Sequence, residues 1–235
     1  MKKKLYSFLL VLFLFGAIQG HAQTFKPGII GGLVTSQVGG DGYSGFNKLG
    51  LTFGGFVRYD LNESWSTQFE IAFVQKGSRN GFSITENDPN QTSEYFVFRL
   101  NYIEIPLLFK FDHRNFIYEG GLYYARLVGA YMELRDDNGS GFVREGLDEV
   151  NTVYAKPFKN YDFGLIVGVG YKITDNLLGS IRLSNSLMAI KEYDSGQVDT
   201  YLTSFRIGWT NTVLLGSIRY TFGEGDENPP PRKEK

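Results

Sequence analysis

Alternation with a period of two residues constrains this chain more than any other feature, and it is cleanest over Asn101–Lys110. Ile103, Ile105, Leu107 and Phe109 fall on one face of an extended strand. Tyr102, Glu104, Pro106, Leu108 and Lys110 fall on the other. Successive side chains of a strand point to opposite faces, so one side is an unbroken apolar strip and the other carries two charges.

The scheme recurs along the chain. Candidate strands are Thr24–Ser36, Lys48–Asp60, Trp65–Lys76, Glu94–Phe111, Phe116–Tyr131, Tyr161–Lys172, Leu177–Ser184 and Phe205–Phe222. The first is weakened by Gly28, Gly31 and Gly32. Phe56 breaks the polar set of the second, and Arg126 falls on the apolar set of the fifth, which predicts a bulge or a rim position there. Polar stretches at 37–47, 77–93, 132–160 and 185–204 read as long loops, the third of them charged throughout its length. Asp60–Ser64, Asp112–Asn115 and Thr174–Asn176 read as tight turns. Long and short connections therefore alternate, which in an up-and-down sheet puts every short turn at one rim. Outer-membrane barrels have that asymmetry and an even strand count. The expected fold is all-β, an eight-stranded antiparallel up-and-down transmembrane β-barrel spanning residues 23–222.

Both flanks read as something other than barrel. Lys2, Lys3 and Lys4 precede an apolar run from Leu5 to Ile18, and Gly20-His21-Ala22 offers small residues for cleavage before Gln23. Residues 1–22 are expected to be a secretory signal peptide, because the run is shorter than the ~20 residues a spanning helix needs. Residues 223–235 read as a disordered, Pro-rich periplasmic tail. Without the signal the chain has 21 basic and 25 acidic residues, a net charge of −4, which argues against a nucleic-acid partner. There is no cysteine, hence no disulfide framework, thiolate metal site or cysteine nucleophile.

Alternation alone does not say which face is inside. A soluble lipocalin-like barrel would put the apolar set inside around an apolar ligand. Three features favour the opposite arrangement. The polar face mixes charges with bare glycine (Gly50, Gly54, Gly121, Gly164, Gly168, Gly170), which weakens a solvent-facing strand but leaves room in a narrow lumen. Aromatics of the apolar set cluster near strand ends (Tyr59, Trp65, Tyr171, Tyr220, Phe222), as interfacial girdles do. Tyr220-Thr221-Phe222 closes the last strand with an aromatic-x-Phe pattern typical of barrels handed to the outer-membrane assembly machinery, although 13 residues follow it.

The sequence resembles the PorT-like outer-membrane β-barrel family of Gram-negative bacteria. The resemblance is carried by Asn101–Lys110, Tyr118-Glu119-Gly120-Gly121, Phe73-Val74-Gln75-Lys76-Gly77, Asp162-Phe163-Gly164-Leu165 and Tyr220-Thr221-Phe222, over roughly residues 24–222. It implies the barrel and the bacterial cell outer membrane, with membrane lipid and the assembly machinery as partners. One member type is implicated in secretion of surface proteases, and that role does not transfer on these motifs.

The catalytic inventory is thin. His113 is the one histidine outside the signal segment, and it sits in a turn, so it reads as solvated surface. The loop carboxylates Asp136, Asp137, Glu145, Asp148 and Glu149 read as a solvated charge run whose spacing matches no EF-hand pattern. No enzyme activity, cofactor or metal is expected. The inward charges Lys48, Arg58, Glu70, Lys76, Glu104, Lys110, Glu119, Asp162, Lys172, Arg182 and Arg219 are mixed in sign. They are expected to pair into a lumen-filling network, the alternative being an ion path. Glu104 should reach an Arg or Lys on an adjacent strand. Pro106, which has no N–H, should mark a bulge or a lost ladder bond. Ile103, Ile105, Leu107 and Phe109 should face lipid. The expected role is structural or adhesive, through extracellular loops that meet lipid, glycan or another envelope protein. Tyr43, Tyr154, Tyr193, Tyr201 and Trp209 are candidate contacts or ordinary loop packing. The alternatives are a subunit of a secretion or uptake assembly, and a soluble periplasmic carrier.

Overall fold

The computed structural model describes residues 25–41, 45–80, 95–135, 140–153, 157–192 and 208–223. The signal segment, the tail beyond Gly223, Asp136, Asp137, Tyr43, Tyr154, Tyr193 and Tyr201 lie outside those residues, as do Glu94 and Phe205, the expected starts of two strands.

The elements are β1 (Phe25–Gly39), β2 (Lys48–Asp60), β3 (Trp65–Arg79), β4 (Tyr95–His113), β5 (Phe116–Arg135), β6 (Gly141–Glu145), α1 (Leu147–Asn151), β7 (Tyr161–Lys172), β8 (Leu177–Ser186) and β9 (Thr210–Thr221). Every pairing is antiparallel. β1 pairs with both β2 and β9, and β4 with both β3 and β5, so eight strands close into a ring with no free edge. β6 stands outside the ring and, among the described residues, pairs only with the far end of β5.

The short turns have local causes. Asn62 Oδ1 accepts from the backbone N–H groups of Ser64 and Trp65 at 3.0 and 2.9 Å, an Asx-type closure between β2 and β3. Arg114 takes a left-handed φ of 57° between β4 and β5. Thr174 Oγ1 accepts from Leu177 N–H at 3.1 Å between β7 and β8. All three turns and both barrel termini share one rim, where Phe222 N–H donates to Pro27 O at 2.7 Å.

Along the wall between the short turns and mid-barrel, the polar set points inward. Glu70, Lys76, Glu104, Lys110, Glu119, Asp162, Arg182 and Arg219 are all buried, whereas Leu51, Phe53, Ile71, Leu107, Phe109, Val167, Ile181 and Ile218 are exposed. A carrier with an apolar calyx is the reverse of this arrangement, so the lipocalin-like alternative is overturned. Inward glycines leave the space the long side chains fill. A Cβ on Gly164 would lie 2.4 Å from the Tyr123 ring, and one on Gly168 would lie 3.0 Å from Glu119 Oε1. Phe56 breaks the polar set because it covers its neighbour Gly28, where a Cβ would come within 2.2 Å of the Phe56 ring.

Two irregularities shape β4 and β5. The β3–β4 register runs from Phe69↔Leu107 to Ala72↔Glu104 and leaves the stretch opposite Ile105 and Pro106 unpaired, the ladder loss that a proline imposes. On the other side of β4, Asn101 pairs with Gly129 while Tyr102 pairs with Leu127, so Val128 is an extra residue in a bulge. Before it, odd-numbered residues of β5 point inward (Ile117, Glu119, Tyr123, Ala125, Leu127); after it, even-numbered ones do (Ala130, Met132). Arg126 stays outward just before the bulge, opposite Ile103 and Tyr161.

This inversion corrects the reading of 132–160 as loop. β5 runs on to Arg135, β6 pairs with its far end, and the single-turn helix α1 follows. Its charges had masked an alternation that is out of phase with the rest of the strand.

Candidate functional site: a charged barrel interior

The inward side chains form tiers. At the short-turn mouth, Arg58 bonds Asp60 Oδ1 and Asp112 Oδ2, both at 2.6 Å, and Lys172 Nζ lies 3.2 Å from Asp112 Oδ1. Lys26 adds a 3.0 Å contact to Asp60. These groups are partly solvated, Lys172 by more than a third of its side chain, so Arg58 and Lys172 belong to the mouth and not to the buried network.

Above them lies a fully buried tier. Glu119 accepts from Arg182 Nε at 2.7 Å and from Arg219 Nη1 and Nη2 at 2.9 and 2.6 Å. Lys110 Nζ stands 3.4 Å from the same carboxylate. The other edge of Arg182 is a bidentate fork on Glu70, at 2.7 and 2.5 Å. Gln68 links the two sides, accepting from Lys110 and donating to Glu70. Arg219 also donates to Ser180 Oγ at 2.8 Å, which bonds Ser217. The planar fork of guanidinium suits such two-edged bridging between carboxylates. The tier ties β3, β4, β5, β8 and β9 together across the lumen.

The next tier centres on Lys76, whose amine is fully buried, 2.6 Å from Glu104 and 3.3 Å from Asp162. It lies over the rings of Tyr123 and Tyr102, with centroids at 4.2 and 5.2 Å. Asp162 Oδ2 also accepts from Tyr123 OH at 3.1 Å and from Asn211 Nδ2 at 3.0 Å. Glu104 thus meets a lysine on the adjacent strand β3. The two buried tiers hold four acids (Glu70, Glu104, Glu119, Asp162) and four bases (Lys76, Lys110, Arg182, Arg219), so their formal charges cancel. Lys48 is buried at the long-loop end and donates to Leu49 O at 2.5 Å, apart from these tiers.

A third layer has no counterpart in the inward charges read from sequence. Toward the long connections the interior becomes apolar, with Val38, Phe96, Phe98, Leu100, Ala130, Met132, Phe158, Ile190 and Trp209 buried together. Ring centroids of Phe98 and Phe158 are 4.9 Å apart, and those of Phe158 and Trp209 are 5.7 Å apart and edge-on. Backbone bonds Lys159 N–H to Ile190 O (2.7 Å), Ile190 N–H to Trp209 O (2.8 Å) and Trp209 N–H to Lys191 O (2.7 Å) sew two long connections across it. Trp209 is 3 % exposed, so it is loop packing and not a surface contact. One signal for this layer was available: Phe96, Phe98 and Leu100 share the parity of Glu104.

His113 is exposed at the end of β4, stacked on Phe111 with centroids 6.4 Å apart. Glu145, Asp148 and Glu149 are exposed as well. Among the described residues, no group of three or more His, Asp or Glu side chains is placed to hold a metal ion.

A family model described as outer membrane protein beta-barrel domain matches residues 21–192. No curated protein sequence matches significantly. Solved structures of similar shape include Ail, the attachment invasion locus protein of Yersinia pestis, in complex with the heparin analogue sucrose octasulfate; identity is 13%, coverage is 85% of this chain and 100% of that one, and the TM-score is 0.46. Neisserial surface protein A gives 12%, 83%, 97% and 0.47 on the same measures, and OprG from Pseudomonas aeruginosa gives 13%, 85%, 95% and 0.35. All three are too distant to bear on what this chain binds. The family match covers well over half of the chain, which belongs to the outer membrane protein beta-barrel domain family and takes its place in the outer membrane.

Proposed function

We propose that the protein is a non-conducting, non-enzymatic outer-membrane barrel. Its lumen is plugged by side chains, and its working surface is the rim formed by the long connections, which faces the exterior. The observation that carries this reading is the succession of buried side-chain tiers through the interior. Two tiers whose charges cancel between them lie beneath an apolar layer, and Glu119, Arg182 and Arg219 bridge opposite walls. An ion crossing that path would have to break several buried pairs at once, each of them costly to open.

In this reading Ile103, Ile105, Leu107 and Phe109 face lipid, the short turns are periplasmic, residues 1–22 are removed as a signal, and residues 223–235 trail into the periplasm after insertion by the barrel assembly machinery. The motif over Asn101–Lys110 supports a position among the PorT-like members of its family. With the lumen closed, recognition of lipid, glycan or another envelope protein falls to the rim.

The test is conductance across a planar lipid bilayer containing the purified, heat-modifiable barrel. The expected result is no resolved channel steps in 1 M KCl. Stable unitary steps would overturn the plug and favour an ion path through the same residues. Co-purification from intact outer membrane then separates a free-standing barrel from an assembly subunit: a stoichiometric envelope partner retained through detergent extraction would shift the reading to the latter.

A further inference from the structure

The outward face of the barrel is not uniform around its circumference. Among the described strand residues, every Asp, Glu, Lys or Arg that points outward lies on β3, β4, β5 or the appended β6. They are Arg79, Arg99, Arg126, Glu133, Arg135 and Glu145. At the same height, the outward positions of β1, β8 and β9 are Thr35, Gln37, Asn185, Thr210 and Thr212, all uncharged. The patch has four arginines against two acids.

Its height matters as much as its sign. On β4 the apolar strip runs from Phe111 to Ile103, a rise of about 26 Å along the strand, or roughly 20 Å of height at a barrel strand's usual tilt, close to the ~25 Å apolar band of outer-membrane barrels. Arg126 pairs with Ile103 at the top of that strip, and Arg99 lies four residues beyond it. Arg126 and Arg99 therefore sit where lipid head groups meet the wall, while Arg79 and Arg135, paired with Val97 and Tyr95, stand farther out above the membrane surface. They are also pre-positioned. Arg79 lies over the Tyr95 ring at 5.4 Å and Arg99 over the Tyr131 ring at 5.2 Å. Tyr131 OH bonds Glu133, which holds Arg135 at 2.7 Å. Arg79 and Arg99 are diagonal neighbours across the β3–β4 ladder, since Arg79 pairs with Val97 and Arg99 with Gly77. Diagonal neighbours stand ~7–8 Å apart, a spacing that lets two guanidinium groups share one tetrahedral oxyanion.

We propose that this arginine–tyrosine patch on β3–β5 is a docking site for a phosphorylated glycolipid head group of the outer leaflet. Guanidinium pairs bind phosphate in bidentate fashion, tyrosines pack against sugar at the interface, and the adjacent apolar strip takes the acyl chains. The proposal rests on the orientation proposed above, with the long connections outside.

The experiment uses the folded barrel in phosphatidylcholine nanodiscs, titrated with bis-phosphorylated lipid A and, separately, with its dephosphorylated form. Bound glycolipid is counted by native mass spectrometry, and heat-modifiable mobility verifies the fold of every sample. The wild type should retain the phosphorylated form at least ten-fold better than the dephosphorylated one. A variant with R79Q, R99Q, R126Q and R135Q should lose that preference, and a variant with the four changed to Lys should recover part of it. Equal retention of the two lipids, or unchanged retention by the Gln variant, would overturn the proposal. Displacement of the lipid by millimolar inorganic phosphate would overturn the lipid assignment in favour of a free-anion site. Labelling single cysteines placed in the 132–160 connection on intact cells tests the orientation separately, so its failure is distinguishable from failure of the patch.

Discussion

The same two strands fill the barrel in opposite ways along their length. Between the short turns and Tyr102, β4 and β5 put Lys110, Glu104 and Glu119 inside and Phe109, Leu107 and Tyr118 outside. Beyond Tyr102 they put Leu100, Phe98, Ala130 and Met132 inside and Arg99, Glu133 and Arg135 outside. The first half is inverted relative to a water-soluble protein, and the second half is not. The solvent outside the wall explains both. Where the wall meets hydrocarbon the outer face must be apolar, and the polar residues left for the lumen must find partners there. Where the wall rises into water, the ordinary hydrophobic effect returns apolar groups to the inside. The bulge at Val128 sits at the crossover and resets the parity of β5 to suit.

The largest effect should come from the inverted half. Glu119 serves Arg182, Arg219 and Lys110 at once. Glu119→Gln leaves those three cations buried with Glu70 as their one nearby anion. Removing one partner of a buried pair costs about 3–5 kcal/mol, so the urea midpoint for loss of the heat-modifiable folded band should fall steeply, and folding into bilayers should become inefficient. A variant that folds with an unchanged midpoint would mean that water reaches this tier and screens it, which would also weaken the plug.

The conventional half should respond to volume instead of charge. Trp209→Ala removes the centre of a ring cluster with Phe98 and Phe158, at a cost of about 3 kcal/mol if the cavity stays open. Trp209→Phe should recover most of that loss, which no neutral isostere of Glu119 would do. Limited proteolysis should reveal new cuts in the long connections of Trp209→Ala while the strands stay protected. New cuts at the short-turn rim instead would show that the two halves are not separate structural units.

The two halves were not equally legible in the sequence. Lys48–Asp60 and Tyr161–Lys172 are strands with just the bounds their alternation predicts, because a wall with apolar lipid on one side and paired charges on the other imposes strict periodicity. The upper half relaxes it. Past Val128 the phase of β5 slips by one, so Ala130, Met132 and Leu134 no longer match the apolar set below, and the charges at Glu133 and Arg135 made the segment resemble a loop. Phe158, Ile190 and Trp209 enter from connections far apart in sequence and meet only through tertiary backbone bonds. Pairing within the lumen was beyond local pattern for a related reason. The side on which Glu104, Glu70 and Glu119 stand follows from parity, but their partners depend on the stagger of strands around the closed ring, and Gln68, Tyr123 and Asn211 joined the network by that route alone.

The smallest effect marks where the inverted half ends. Arg58 bonds Asp60 and Asp112 at 2.6 Å, geometry as good as any in the lumen, yet its side chain and both carboxylates are partly open to solvent. A pair that keeps part of its hydration falls between an exposed pair and a fully buried one, at about 1–2 kcal/mol, because its ions lose only part of their hydration on pairing and regain it on separation. Arg58→Ala should therefore shift the urea midpoint by no more than that, and the shift should shrink further in 0.5 M salt, where the Debye length falls to a few ångströms, roughly 4 Å. Glu119→Gln should keep its penalty at the same salt, since mobile ions do not enter the buried tier. If the two variants proved equally salt-sensitive, mouth and lumen would be one hydrated compartment, and bond length without burial would have to be accepted as the measure of what each pair contributes.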